Sequence, residues 1–290
     1  MIDAHIHVVH DHTPGTKPTG AGGSILDERP DVLAGHVRAE MKAAGITHAL
    51  GMGRLDAPAD DPLGINGTLR LATMVPGLHA IGVADPTRTE AEHPEHFRRA
   101  EEQLASGKVV ALKAYLGYVH FGPDSTRYEP YYRLAARHKV PFVFHTGDTW
   151  STRAKVRFAH PLLVDDVAVD HPEVRFVLAH FGNPWLTDAA ELVYKNDNVW
   201  ADLSGLIVGD ERQFRVDAAG HPPADSSWAF LRPELLKAFH YAEKPERFLY
   251  GTDWPLAPMA GYRRFIESVL PKDHHEAVFE KNARQLFGLT

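Results

Sequence analysis

The sequence predicts one α/β domain, spanning residues 1–290, in which parallel strands alternate with helices. Short apolar runs recur along the whole chain, separated by longer amphipathic or polar stretches. Each run is apolar enough to be covered on both faces, as parallel strands are in α/β folds. The 290 residues also suit a (β/α)8 TIM barrel, which needs roughly 250 residues plus loop insertions. Two smaller domains are the alternative at this length.

Eight apolar runs are the predicted strands. They are IDAHIHV (2–8), THALGMG (47–53), LHAIGVA (78–84), VVALKAY (109–115), VPFVFHT (140–146), VRFVLAHF (174–181), NVWADLS (198–204) and RFLYGTD (247–253). Apolar residues at helical spacing mark the intervening helices, as with Leu33, Val37, Met41 and Ala44 in the first and Tyr131, Leu134 and Ala135 in the fourth. An open doubly wound sheet is the alternative, weakened because no glycine-rich phosphate loop follows the first run.

Composition narrows the functional class. The net charge of −7, without a long Lys/Arg block, argues against a nucleic-acid partner and favours a small-molecule substrate. No apolar run reaches the ~18 residues of a membrane span and no leader-like segment opens the chain, so we expect a cytoplasmic protein without a membrane partner. The chain has no cysteine, so a metal would be held by histidine, carboxylate or modified lysine.

His5 and His7 in the first run have a predicted geometry. Residues two apart on a strand point to the same face, so both imidazoles project together. If that face is the barrel interior, they lie at its C-terminal end, where barrel active sites are found. A chance pair remains the alternative, because the chain has 19 histidines.

Four further runs are closed or interrupted by a polar residue: Lys113, His145, His180 and Asp253. A polar group at the end of an apolar run is costly to bury without a partner, and a divalent metal is a suitable partner. Imidazole nitrogens and an Asp oxygen suit Zn²⁺, Mn²⁺ or Fe²⁺, and three or four protein ligands with an open position are typical of a catalytic site. We therefore predict one divalent metal, preferably zinc, held by His5, His7, His145 and Asp253.

These motifs give the chain a family resemblance. The segments that carry it are DAHIHV, ALKAYLG, FHTGD, HPEVRFVLAHFGNPW, NVWADLSG, GTDWPL and the closing EKNARQLFGLT. Between Asp3 and Leu289 the sequence resembles the amidohydrolase superfamily, and within it the group that includes aminocarboxymuconate semialdehyde decarboxylase and the resorcylate decarboxylases. The resemblance implies a distorted barrel with its metal site at the C-terminal face. It also implies that His5, His7, His145 and Asp253 are metal ligands.

The resemblance leaves the number of metals open. In binuclear members a carboxylated lysine of the fourth strand bridges two metals and the histidine of the sixth strand binds the second. Lys113 and His180 occupy those places. In the decarboxylase-like group one metal is usual and the sixth-strand histidine acts on substrate or water. We favour one metal, and an unmodified Lys113 would then offer a cation to a substrate carboxylate.

The predicted chemistry uses a metal-activated water. Asp253 would take the proton of that water and return it to the leaving group, and His180 would polarise a substrate carbonyl. We therefore predict a metal-dependent hydrolase of an amide, ester or lactone in a small, carboxylate-bearing metabolite. A metal-dependent non-oxidative decarboxylase is the alternative, and a non-catalytic metal- or ligand-binding protein is a third reading.

The loops carry weaker signals. Trp150, Arg153 and Arg157 follow the fifth run, where they either bind a carboxylate-bearing substrate or belong to a solvated basic loop, which is the preferred interpretation. His10 and His12 have no assigned role. The polar segment 205–230 would form a lid or cover a homodimer interface. For Asp202 and Ser204, ordering of the site and local capping both stay open.

Overall fold

A parallel eight-stranded barrel forms the centre of the molecule. The computed structural model describes residues 1–14, 23–217 and 221–290. Each strand pairs in parallel with the next strand along the chain, which confirms the predicted barrel order. The strands are β1 (Ile2–Ile6), β2 (His48–Met52), β3 (Leu78–Val83), β4 (Val109–Ala114), β5 (Phe142–His145), β6 (Phe176–Ala179), β7 (Val199–Asp202) and β8 (Phe248–Leu249).

Helices follow the strands and cover the outside of the barrel. In the described ranges they are α1 (Pro30–Ala44), α2 (Asn66–Ala72), α3 (Pro94–Ala105), α4 (Glu129–His138), α5 (Leu163–Asp170), α6 (Leu186–Lys195), α7 (Ser227–Tyr241), α8 (Met259–Val269) and α9 (Asn282–Phe287). Helix α1 begins with Pro30, whose missing N–H costs nothing there, and is followed by Gly45 at φ 70°. The apolar faces predicted for α1 and α4 are buried.

The segment after β8 closes the barrel against β1. The Ala4 N–H donates to the Tyr250 carbonyl at 2.9 Å, and the Asp253 N–H donates to the His5 carbonyl at 2.8 Å. The His7 N–H donates to the Trp254 carbonyl at 2.6 Å. These bonds place Asp253 beside the two histidines of the first run although β8 itself has ended.

A β-bulge in β1 orients His5 and His7. Asp3 pairs with Ala49 and Ile6 pairs with Gly51, so three steps along β1 oppose two along β2. An extra residue shifts the alternation of faces at that point. As a result His5 and His7 both face the cavity at the carboxyl ends of the strands.

Several strands end earlier than predicted. The backbone at His180 has φ 60° and that at Asp253 has φ 64°, which lie in the left-handed region and cannot continue a strand. Strand β6 therefore ends at Ala179, whereas β8 has already ended at Leu249, before the turn that carries Asp253. His180 and Asp253 therefore stand on turns beyond their strands, whereas His5, Lys113 and His145 lie on β1, β4 and β5 themselves.

The barrel interior below the cavity is apolar. Strand residues such as Ile2, Leu50 and Val177 form one buried cluster, and Leu286 and Phe287 of α9 pack onto it. A guanidinium N–H of Arg175 donates to the Leu286 carbonyl at 2.9 Å just before β6 begins, which holds α9 at the amino-terminal end of the barrel. No helix in the described part of the chain is long and apolar enough to cross a membrane.

Candidate metal centre

The carboxyl ends of the strands surround a cavity of about 620 Å³. All the polar strand-end residues singled out from the sequence line it, namely His5, His7, Lys113, His145, His180 and Asp253. This is the end of the barrel at which (β/α)8 enzymes carry their active sites. The fold therefore brings the candidate set together from five different strands.

The Asp253 carboxylate lies against the two imidazoles of the first run. Its Oδ1 is 3.6 Å from Nε2 of His5 and 3.3 Å from Nε2 of His7. Both Asp253 Oδ1 and His5 Nε2 are buried without a hydrogen-bond partner, and the ligand atoms of the three residues lie within 4.8 Å of one another. Burial alone would raise the pKa of Asp253, but His7, His180 and His5 hold that pKa below its ordinary value. The carboxylate is therefore ionised.

The partner of His5 determines which of its nitrogens is free. Nδ1 of His5 lies 3.0 Å from Oδ2 of Asp202, and a carboxylate only accepts, so the imidazole proton is on Nδ1. Burial lowers the pKa of His5 to about 4, so the ring is neutral at neutral pH. Nε2 therefore presents a bare lone pair beside Asp253.

The same reasoning applies to His145 and His180. Nε2 of His145 lies 2.8 Å from the Asp148 carbonyl, which only accepts, so Nδ1 of His145 is bare. Nδ1 of His180 lies 3.2 Å from the Ser204 carbonyl, so Nε2 of His180 is bare as well. These two bare nitrogens face each other at 3.2 Å. Burial is the main cause that lowers the pKa of both rings. Neither bare nitrogen therefore readily gains a proton that it could donate to the other.

The donor set fits a divalent metal. Bare imidazole nitrogens and an ionised carboxylate without a partner are the ligands that Zn²⁺ and similar cations use. A second convergent group contains His5, His180 and Asp202, but the oxygens of Asp202 already accept four hydrogen bonds. Among the described residues His145 belongs to neither group, because its Nδ1 faces His180. Its role as a ligand stays a prediction.

Lys113 is the buried cation of the cavity. Its side chain is fully buried, its Nζ has no hydrogen-bond partner, and the ring of Tyr115 lies 5.6 Å away. Burial lowers the pKa of Lys113 to about 8. The amine is thus available either to an anionic group in the cavity or, when neutral, to carboxylation.

The structure separates the three residues predicted to bind substrate. Trp150 lines the cavity and is 49% exposed. Arg153 and Arg157 are exposed and are absent from the cavity walls that the described residues form. The guanidinium of Arg157 stacks on Phe158 at 4.7 Å, on the 3-10 turn that follows the loop. The two arginines thus correspond to the solvated basic loop, and Lys113 is the cationic side chain in the described walls of the cavity.

Other loop residues take different positions. His10 and His12 line the cavity, and Nε2 of His10 lies 2.8 Å from Oδ1 of Asp27. Of the segment 205–230, Gly205, Leu206 and Val208 reach the cavity, and residues 218–220 lie outside the described ranges.

Tyr118 is a wall residue that the sequence reasoning missed. Its ring packs edge-on against His145 at 4.8 Å, and its hydroxyl accepts the Trp150 N–H at 3.1 Å. The only signal in the sequence is the second tyrosine of YLGY, which follows the fourth run.

Comparison with known proteins places the chain in a family. A family model described as Amidohydrolase matches residues 2–289. The chain belongs to the amidohydrolase family. No curated protein sequence matches it. Members of the family are metal-dependent hydrolases or decarboxylases, in agreement with the convergent His and Asp donors of this amidohydrolase.

Solved structures share the fold of this amidohydrolase over nearly its full length. An uncharacterised TIM-barrel protein from Bordetella bronchiseptica is 17% identical with a TM-score of 0.69, covering 99% of this chain and 98% of its own. An amidohydrolase from Burkholderia multivorans with bound zinc is 20% identical with a TM-score of 0.66, covering 100% and 99%. The 5-carboxyvanillate decarboxylase of Sphingomonas paucimobilis is 16% identical with a TM-score of 0.61, covering 100% and 99%. At these identities the likeness establishes the fold.

Proposed function

We propose that the protein is a metal-dependent hydrolase that cleaves an amide, ester or lactone bond of a small, carboxylate-bearing molecule. The observation that carries the proposal is the convergence of Nε2 of His5 and Nε2 of His7 on an ionised carboxylate whose Oδ1 is buried without a hydrogen-bond partner, inside an open cavity. Such a set has no use in a packed core, where it would be destabilising. It is the arrangement that a catalytic metal site requires.

His5, His7, His145 and Asp253 would hold one metal, with zinc preferred over manganese and iron. The zinc bound in the Burkholderia multivorans amidohydrolase supports that preference. When bound, the cation supplies Lewis-acid activation, bringing the pKa of a water toward ~7 or polarising a substrate oxygen.

Asp253 and His180 would then handle protons and charge. Because Asp253 is ionised, it begins the reaction as the base that accepts a proton from the attacking water, and returns it to the leaving group. Because Nδ1 of His180 carries the proton, Nε2 can only accept a hydrogen bond. This nitrogen can polarise a substrate carbonyl only after it has gained a proton. His180 would therefore take part in proton transfer before it stabilises charge.

Lys113 would bind the carboxylate of the substrate. Its buried amine has no partner, so an anionic group in the cavity would supply the missing contact and compensate the desolvation of the cation. The second form of the site remains a carboxylated Lys113 that bridges two metals. The ring of Tyr115 lies beside this cation, and Leu206 adds a further apolar part of the described cavity wall.

A metal-dependent decarboxylase is the second candidate. The likeness in fold to 5-carboxyvanillate decarboxylase favours it, and the same residues would serve it. In that reaction Asp253, which is ionised at the start, would first take a proton from water and then deliver it to the carbon that carbon dioxide leaves. A non-catalytic binding protein is the third candidate, and the completeness of the donor set weighs against it.

One assay distinguishes the candidates. Protein loaded with zinc is incubated with a panel of aryl carboxylates and a panel of carboxylated lactones and esters, while carbon dioxide and released acid are both measured. Acid release without carbon dioxide supports the hydrolase, and carbon dioxide release supports the decarboxylase. Asp253→Asn is the control and should lower kcat by about 10²–10⁴. A variant that retains turnover with metal bound would remove Asp253 from the acid-base role.

A further inference from the structure

We infer that Asp202 is a positioning residue that fixes the proton of His5 on Nδ1, and so directs the bare Nε2 of that ring toward the metal centre; through Ser204 it also reinforces the proton position of His180. This inference rests on the metal centre of the proposed function, but the proton positions it assigns exist without a metal. Asp202 ends β7, is 1% exposed, and is absent from the described walls of the cavity. Its effect would therefore pass through other residues.

The two oxygens of Asp202 have different partners. Oδ2 accepts from Nδ1 of His5 at 3.0 Å. Oδ1 accepts from the His180 N–H at 3.1 Å, from the Ser204 N–H at 3.0 Å and from the Ser204 hydroxyl. One buried carboxylate thus holds the side chain of His5, the backbone at His180 and the turn after β7.

Ser204 links Asp202 to the ring of His180 and reinforces a proton position that the Ser204 carbonyl already requires. The hydroxyl of Ser204 has one proton, and it donates this proton to Asp202. Its oxygen, 3.0 Å from Nδ1 of His180, can then only accept, as can the Ser204 carbonyl at 3.2 Å. Nδ1 of His180 must therefore carry the proton. Both rings consequently have Nδ1–H and a bare Nε2.

This asymmetry predicts the outcome of a nearly isosteric substitution. In Asp202→Asn the three donors around Oδ1 require the amide oxygen at that position, because an NH₂ group there would face three donors. The NH₂ group is then directed at Nδ1 of His5. His5 must accept with Nδ1 and carry its proton on Nε2, which blocks that nitrogen as a metal ligand.

Two control variants separate this effect from a loss of packing or charge. Ser204→Ala removes the hydroxyl but leaves the Ser204 carbonyl to accept from His180, so the proton positions persist. Asp61→Asn makes the same chemical change at a carboxylate that is 4% exposed and accepts from the N–H groups of Ile65 and Asn66. Asp61 contacts no histidine and no described wall of the cavity.

The first measurement is the protonation of His5 in metal-free protein, read from the imidazole ¹⁵N shifts and assigned by comparison with His5→Gln. Wild-type protein should show the proton on Nδ1, and Asp202→Asn should show it on Nε2. A wild-type His5 protonated on Nε2 would overturn the inference without any variant.

The second measurement is zinc affinity by competition with a chromophoric chelator. We expect Asp202→Asn to lose about 10–100-fold, Ser204→Ala to lose less, and Asp61→Asn to match wild-type protein. Wild-type affinity in folded Asp202→Asn would contradict the inference. Wild-type protein that binds no zinc would contradict the proposed function instead, and the imidazole shifts would still decide the role of Asp202.

Discussion

Nδ1 of His145 and Nε2 of His180 lie 3.2 Å apart, and both are bare acceptors because the other nitrogen of each ring donates to a carbonyl. Two lone pairs at this distance repel unless a cation lies against them. Burial lowers the pKa of both imidazoles, so protonation is unfavourable at neutral pH. A metal bound to Nδ1 of His145 would relieve this repulsion, so these two histidines are the most informative pair to substitute.

Single alanine substitutions at these two histidines should have different effects. If His145 is a ligand and His180 is not, His145→Ala should lower zinc affinity by at least about 10–100-fold because it removes one of four donors. His180→Ala should keep one zinc per chain and lower kcat by about 10²–10⁴, since it removes a group that handles protons. Metal content and kcat measured on both variants check this. The reverse pattern would assign the ligand role to His180.

The effect of charge on substrate binding should come from Lys113. Lys113→Met should raise KM for carboxylate substrates, because it removes the buried cation of the cavity, and it should change KM for uncharged analogues much less. Arg153→Ala and Arg157→Ala are the matched controls and should leave both KM values unchanged, because neither side chain belongs to the described walls of the cavity. Intact-mass measurement of wild-type protein under conditions that preserve lysine carboxylation completes the test. An added mass of one carbon dioxide on Lys113 would favour the binuclear form.

The sequence predicts the barrel and its polar strand ends because both follow from local signals. Apolar runs define the strands, and a polar residue such as His145 or Asp253 at the end of a run is visible without any contact information. The bulge in β1 has no such signal, since it arises from pairing with β2. The role of Asp202 likewise depends on its closeness to His5, which is 197 residues away in sequence. The outward position of Arg157 follows from its stacking on Phe158, which loop composition does not encode.

Stability of the metal-free protein should fall as the pH is lowered from about 6.5 toward 4. Burial lowers the pKa of both His5 and His96 from 6.5 to about 4. In that interval the unfolded chain binds protons that the folded chain does not, so acid favours unfolding. Urea unfolding midpoints measured across this pH interval give the slope of stability against pH. In His96→Gln, which can still donate to the hydroxyl of Tyr131 outside the cavity, the slope should be shallower. An equal slope would show that His96 does not contribute.

A side chain at Gly205 should destabilise the protein through close contacts with the site. A second glycine, Gly107, serves as the control for backbone strain without such contacts. A Cβ on Gly205 would lie 2.6 Å from Nδ1 of His180 and 2.9 Å from Oδ2 of Asp253, and the backbone there has φ 63°. Gly107 has φ 71° with nothing within 4 Å of its Cβ position. Gly107→Ala should therefore cost only the ~1–2 kcal/mol of left-handed backbone strain and keep full zinc binding. Gly205→Ala should cost more than that, because His180 and Asp253 must move, and it should weaken zinc binding as well. Urea unfolding measures the loss of stability in each variant, and zinc titration measures the loss of zinc affinity. Equal losses in the two variants would show that the contacts at Gly205 do not constrain the site.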